Sequence, residues 1–249
     1  MARWKATIAY DGTNFSGWQV QPEKRTVQGE LEKGLTRLHK GKKISVFGSG
    51  RTDAQVHARG QVVHFDSTLA IAPERWPYAL AGVLPPDIQV RDAKVVSEDF
   101  HARFDAVAKE YRYFLHVGSE RDVFQRQYVY HVYAKEFDTG AVKRALQHLE
   151  GEHDFSSFCA SNTYVQNKVR LLEQVTLVRM REGAWYFHFR GEGFLYNMVR
   201  IIVGTAIEIG LHRRPSNDMA RILHSKDRRE AGVTAPGHGL FLWSVDYGP

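Results

Sequence analysis

Gly48-Ser49-Gly50-Arg51-Thr52-Asp53-Ala54-Gln55-Val56-His57-Ala58 joins two apolar runs, Ile44 to Phe47 and Gln61 to Asp66. Both runs read as strands, so the stretch is a connection between two strands. Gly48 and Gly50 permit a tight or left-handed turn, or close approach by another backbone. Thr52 or Asp53 can cap a short helical piece that follows. A turn of this kind can hold one carboxylate at the floor of a cleft, with the Arg51 guanidinium two residues away. On residue types alone, Asp53 also reads as the cap of an Asx-turn that merely satisfies local backbone.

Working outward, Ala6, Ile8 and Tyr10 alternate with Lys5, Thr7 and Ala9, which predicts a half-buried strand over 4–10 ending at Asp11-Gly12. In the loop from Thr13 to Pro22, Trp18 either plugs the edge of the core or lines a nucleic-acid groove with Gln19 and Gln21. Thr26 caps a predicted helix from Val27 to Lys40 with an apolar stripe of Val27, Leu31, Leu35 and Leu38, stopped by Gly41. Beyond the central stretch come a short helix over Pro73–Leu80 and a strand over Ile88–Val95. Strand, helix, strand, strand, helix, strand is the order of a ferredoxin-like unit.

The second half repeats that order without a visible sequence repeat. Strands are predicted over Lys109–Val117, Val169–Met180, Ala184–Arg190 and Leu240–Tyr247, with helices over Thr139–Leu149 (capped by Asp138), Phe194–Gly210 and Asn217–His224. Phe155, Phe158 and Cys159 read as core or interface filling, and Ser156-Ser157 and Ser161-Asn162 with Tyr164 as a polar loop. Tyr111 opens a strand, where a tyrosine is either a core-edge residue or a platform for a base. Arg200 interrupts a helix that is apolar nearly all round, and a buried guanidinium needs a carboxylate or phosphate partner. The predicted architecture is α+β. It comprises two ferredoxin-like (RRM-like) subdomains with antiparallel or mixed sheets, residues 1–104 and 105–249, around a central cleft.

The 249 residues carry a formal net charge of +6, with cations spread singly and in pairs rather than in a tail. Such a surface suits a polyanion. One cysteine excludes an intrachain disulfide and a multi-cysteine zinc site, and fits a reducing cytoplasm. No apolar run approaches the roughly 18 residues of a membrane helix. The strand pattern begins at once after Met1, leaving no room for a signal peptide. Asp53, His57 and His64 admit a metal-dependent hydrolase, although the usual metalloprotease spacing is missing. A non-catalytic RNA-binding protein accounts for charge and aromatics as well.

Six blocks together carry a family resemblance. They are Asp11-Gly12 with Phe15, Gly17-Trp18-Gln19 and Gln21-Pro22; Arg51-Thr52-Asp53-Ala54 with Val56-His57-Ala58; and His101-Ala102-Arg103-Phe104 with Lys109 and Tyr111-Arg112-Tyr113. His153-Asp154-Phe155 with Phe158, Phe194-Leu195-Tyr196-Asn197-Met198-Val199-Arg200 with Gly204, and Ala235-Pro236 with Gly239-Leu240 complete them. Over about residues 6–247 the chain resembles the bacterial tRNA pseudouridine synthase A family.

The resemblance implies the pseudouridine synthase fold, conversion of uridine to pseudouridine at positions 38, 39 and 40 of tRNA, a homodimer, and no cofactor or metal. It puts Asp53 on the catalytic aspartate and Arg51 on the arginine that pairs with it and assists base flipping. Tyr111 matches the tyrosine that stacks on the target base, and Arg200 the residue that holds the aspartate. Candidate RNA contacts are Trp18, Gln19, Gln21, Lys24, Arg25, Gln55, His57, Arg59, Arg103, Lys109, Lys168 and Arg170. Gln55 departs from the pattern, since the family normally has glycine there. If that position takes positive φ, glutamine costs roughly 1 kcal/mol or more.

Overall fold

The computed structural model describes residues 1–163 and 165–248; Tyr164 and its part of the polar loop, with Pro249, lie outside them. The chain divides into two compact units, Met1–Val107 with Phe241–Pro249, and Ala108–Leu240. The expected boundary lay after residue 104 and left the C terminus with the second half. Each unit combines helices with a sheet, in an α+β fold.

In the first unit, β1 (Ala2–Tyr10) buries Trp4, Ala6, Ile8 and Tyr10 on the predicted face. α1 (Val27–Leu38) starts where Thr26 Oγ1 accepts the Gly29 N–H, and it buries Val27, Leu31 and Leu35. β2 is only Phe47–Gly48, β3 runs His57–Ser67, α2 is Trp76–Ala81 and β4 is Ile88–Val96. Strands β4, β1, β3 and β2 lie in that order, every neighbouring pair antiparallel. Trp76 of α2 is fully buried against Trp4 and Phe65, with ring centroids 5.0 and 5.2 Å away.

Two strands differ from those the sequence pattern predicts. Ile44 to Val46 is not a strand, because α1 side chains take the Val46 backbone: its N–H donates to Glu32 Oε1 and its carbonyl accepts from Gln28 Nε2. β3 begins at His57 rather than Gln61, so the end of the central stretch is already sheet.

In the second unit, β5 (Ala108–Gly118) pairs in parallel with β6 (Tyr130–Tyr133), a strand not foreseen from sequence. α3 (Thr139–Gln147) is capped by Asp138 as expected. β7 (Gly151–Asp154), where only a helix end was expected, pairs with β8 (Val169–Arg181); β8 in turn pairs with β9 (Ala184–Gly191), and β9 with β5, all antiparallel. α4 (Met198–Gly210) is buried along almost its whole length, and α5 (Asp218–Ser225) follows. α4 starts four residues later than predicted because Asn197 sits at φ 60°, a left-handed conformation asparagine tolerates and a helix cannot continue through. Phe155, Phe158 and Cys159 are at most 1 % exposed within this unit, so they fill its core and offer nothing to an interface. Ser156 and Ser157 lie in a 3-10 turn, with Ser157 fully buried on the Ile222 carbonyl.

The last strand, β10 (Leu240–Asp246), returns to the first unit, pairing in parallel with β3 at Phe241–His57 and Leu242–Ala58. Tyr247 beyond it donates to the Ala102 carbonyl at 2.6 Å.

Candidate active site

Asp53 is half-buried on a loop held chiefly through its backbone. The Val56 N–H closes a turn onto the Asp53 carbonyl at 3.2 Å, and no helical piece follows. The Trp18 N–H donates to the Thr52 carbonyl at 3.0 Å, and the Gln55 N–H to the Phe15 carbonyl at 3.3 Å. Two glycines make this contact possible. A Cβ at Gly12 would lie 2.1 Å from the Val56 oxygen, and one at Gly17 (φ 94°) 2.8 Å from the Thr52 oxygen.

Side chains complete the clamp. Tyr10 and Thr52 share a buried hydroxyl–hydroxyl hydrogen bond of 2.8 Å, and burial pushes the Tyr10 phenol well above its ordinary pKa. Ser49 Oγ donates to Gln61 Oε1 at 2.5 Å, and the Gln61 amide donates to the Gly50 carbonyl at 2.9 Å. His57 Nδ1 accepts the Gly12 N–H at 2.9 Å, and its ring stacks on Phe241 at 4.5 Å. The result is a loop around Asp53 whose backbone is held from several sides. Arg51, two residues away, is exposed.

Several expected RNA contacts have other partners. Trp18 is 3 % exposed and covers Gly48, where a Cβ would lie 2.5 Å from the indole; it is the plug and not the groove lining. His57 is 1 % exposed and cannot reach RNA. Arg25 forks onto Asp87 at 2.7 and 2.8 Å and lies 4.2 Å over Phe15, bracing the supporting loop. Gln21 donates to the Ser16 carbonyl, and Gln19 is half-buried. Lys24, Gln55, Arg59 and Arg103 are exposed, Arg59 over Trp243 and Arg103 over Phe104. In the second unit Lys109, Lys168 and Arg170 are half-buried, and Arg170 donates to the Asn167 carbonyl.

Tyr111, on β5, is 7 % exposed with Phe194 edge-on at 5.0 Å. Arg200, on α4, donates from Nε to the Ala235 carbonyl at 2.7 Å and from Nη1 to Asn197 Oδ1 at 2.8 Å. The Ala235 N–H returns a bond to the Arg200 carbonyl at 3.0 Å. Sequence reading missed Tyr10, Thr52 and Gln61 as supports of the loop, and Asn197 as a support of Arg200. The one available signal was a polar residue at an inward position, as for Gln61 in β3.

A shared metal at Asp53, His57 and His64 does not fit. The two histidines are seven residues apart on β3, roughly 23 Å at strand rise. His64 Nδ1 accepts the Ala102 N–H at 3.0 Å.

A family model described as tRNA pseudouridine synthase matches residues 6–105 and 145–248. A tRNA pseudouridine synthase A of Anoxybacillus flavithermus is 53 % identical over 247 residues, covering 99 % of each chain. One from Bacillus subtilis is 52 % identical over 246 residues, covering 98 % of this chain and 99 % of that one. Among solved structures, a chain of a Cbf5-Nop10-Gar1 complex overlays with a TM-score of 0.36 at 12 % identity, covering 82 % of this chain and 54 % of that one.

Proposed function

Since the chain belongs to the bacterial tRNA pseudouridine synthase A family, and so to an isomerase class, we propose that it acts on uridines 38, 39 and 40 of tRNA with Asp53 as catalytic carboxylate. The observation that supports this reading most directly is the clamped loop: backbone and side-chain hydrogen bonds and two close glycine contacts converge on the residues around Asp53. Such effort on one half-buried turn suits a group that must meet a substrate atom without reorganising.

The isomerisation breaks N1–C1′, turns the uracil and forms C5–C1′; C5 gives up its proton to water or a weak base and N1 takes one up, so none is gained or lost overall. Positive charge grows on the ribose as N1 departs, and an anionic Asp53 stabilises it there, by attack or by its field. The target base first leaves its stack, at a cost of a few kcal/mol. Arg51, exposed beside Asp53, is placed to hold displaced phosphate. Tyr111 and Arg200 keep in this proposal the parts the family resemblance gives them, and stacking on a tyrosine offsets roughly 1–3 kcal/mol of the flipping cost.

The two ferredoxin-like subdomains, the homodimer, the cytoplasmic location and the absence of a cofactor belong to the same proposal. A dimer would need a surface other than Phe155, Phe158 and the buried faces of α4; light scattering on the purified protein measures its mass. The decisive test is incubation with tRNA transcripts, then mapping of pseudouridine. Conversion is expected at 38, 39 or 40, and Asp53→Asn should lose it while still binding tRNA. An active Asp53→Asn enzyme would refute the role of Asp53, and an inactive wild type the whole reading.

A further inference from the structure

We propose that Gln55 is a specificity-determining contact for the RNA, its side-chain amide hydrogen-bonding the nucleotide beside the one that Asp53 engages. The inference rests on the function proposed above. It starts from a backbone anomaly, since Gln55 has φ 65°. Lys40, His212 and Lys226 share that conformation, but each directly follows a helix end, where a left-handed residue is the ordinary stop. Glu23 sits in an exposed turn, and Asn197 has the side chain that best tolerates the region. Gln55 has neither excuse.

Relaxation is closed to it. Its N–H is bound to Phe15, the next N–H to Asp53, and the next carbonyl presses on Gly12. The conformation therefore asks for glycine, and glutamine is disfavoured there. Nor does the side chain repay the fold: it is exposed, and among the described residues it makes no hydrogen bond. A residue that opposes its own backbone, two positions from the reactive carboxylate, is explained if its side chain is used by the ligand. A neutral primary amide donates and accepts at once, which suits a base edge or ribose hydroxyl better than a phosphate.

The test compares the wild-type protein with Gln55→Gly and Gln55→Met on full-length tRNA transcripts, reading melting temperature and the KM for pseudouridine formation at several salt concentrations. Gln55→Gly should melt about 2–4 °C higher and raise KM roughly fivefold. Gln55→Met keeps the length and the backbone preference but not the amide. It should raise KM equally with no gain in melting temperature. Both should keep the wild-type salt dependence, because no phosphate contact is lost. A wild-type KM in either variant overturns the proposal, and a Gln55→Gly protein that melts no higher overturns its premise. A wild type that forms no pseudouridine fails the parent reading instead, so the two failures are distinguishable.

Discussion

Tyr10 and Thr52 show how far the Asp53 loop depends on buried side chains around it. Their 2.8 Å bond ties the Asp53 loop to β1, and both are at most 6 % exposed. Tyr10→Phe leaves Thr52 without that partner and should cost about 1–2 kcal/mol in urea denaturation, with a lower single-turnover rate. An unchanged rate would show that the loop needs no such anchor. His64 makes a second prediction at this scale. Burial, then the nearby charges of His101 and Arg3, push its pKa down to about 4. The folded protein thus binds fewer protons than the unfolded one between about pH 6.5 and 4. Stability is fully present above that window and falls with pH through it, by roughly 3 kcal/mol at most. Protonation also costs Nδ1 its bond from Ala102. Urea midpoints at pH 7 and 4.5 should differ less in His64→Gln than in the wild type. Asp53, Arg51 and Arg200 stand out as candidates because charge in a turn or an apolar helix is conspicuous, while the parts expected of them come from the family resemblance. Tyr10 and Gln61 were not, since alternation assigns a face without naming a partner, and Trp18 was ambiguous until its burial settled it.

At the level of elements, α1, α3 and the β8–β9 hairpin were readable because caps, stripes and a Gly183 turn (φ 66°) coincide. The start of α4 was not, because Phe194 to Asn197 continues an apolar pattern while the Asn197 backbone breaks it. β2 was overread and β6 unseen for the same reason: who pairs with a short extended run is decided by tertiary neighbours. α4 also carries a prediction. A Cβ at Gly204 would lie 1.8 Å from the Val233 oxygen, on the segment whose Ala235 carbonyl holds Arg200. Gly204→Ala should destabilise by about 1–3 kcal/mol and slow catalysis by displacing that anchor. Thr26→Ala, which removes the cap of α1, should cost about 1 kcal/mol and leave the rate per folded molecule unchanged. Chemical denaturation and single-turnover assays separate the two.

Over the whole molecule, the +6 charge and its scattered cations suit a polyanion such as tRNA. Affinity should fall roughly tenfold or more between about 50 and 200 mM salt, as filter binding would measure; a flat dependence would deny the basic surface its part. The return of the last strand to the first unit was invisible in the sequence, because strand pattern does not specify which sheet a strand joins. That return has a consequence for biosynthesis. Residues 241–248 leave the ribosome after the entire second unit, yet Phe241 stacks on His57, whose ring supports the Gly12 amide beneath the Asp53 loop. The unit that was begun first is thus completed after the second, so a chain cut short before Phe241 lacks a support of the loop that carries Asp53. Translation in effect inspects its product: only a message read through codon 241 and beyond yields an enzyme with that loop fully braced.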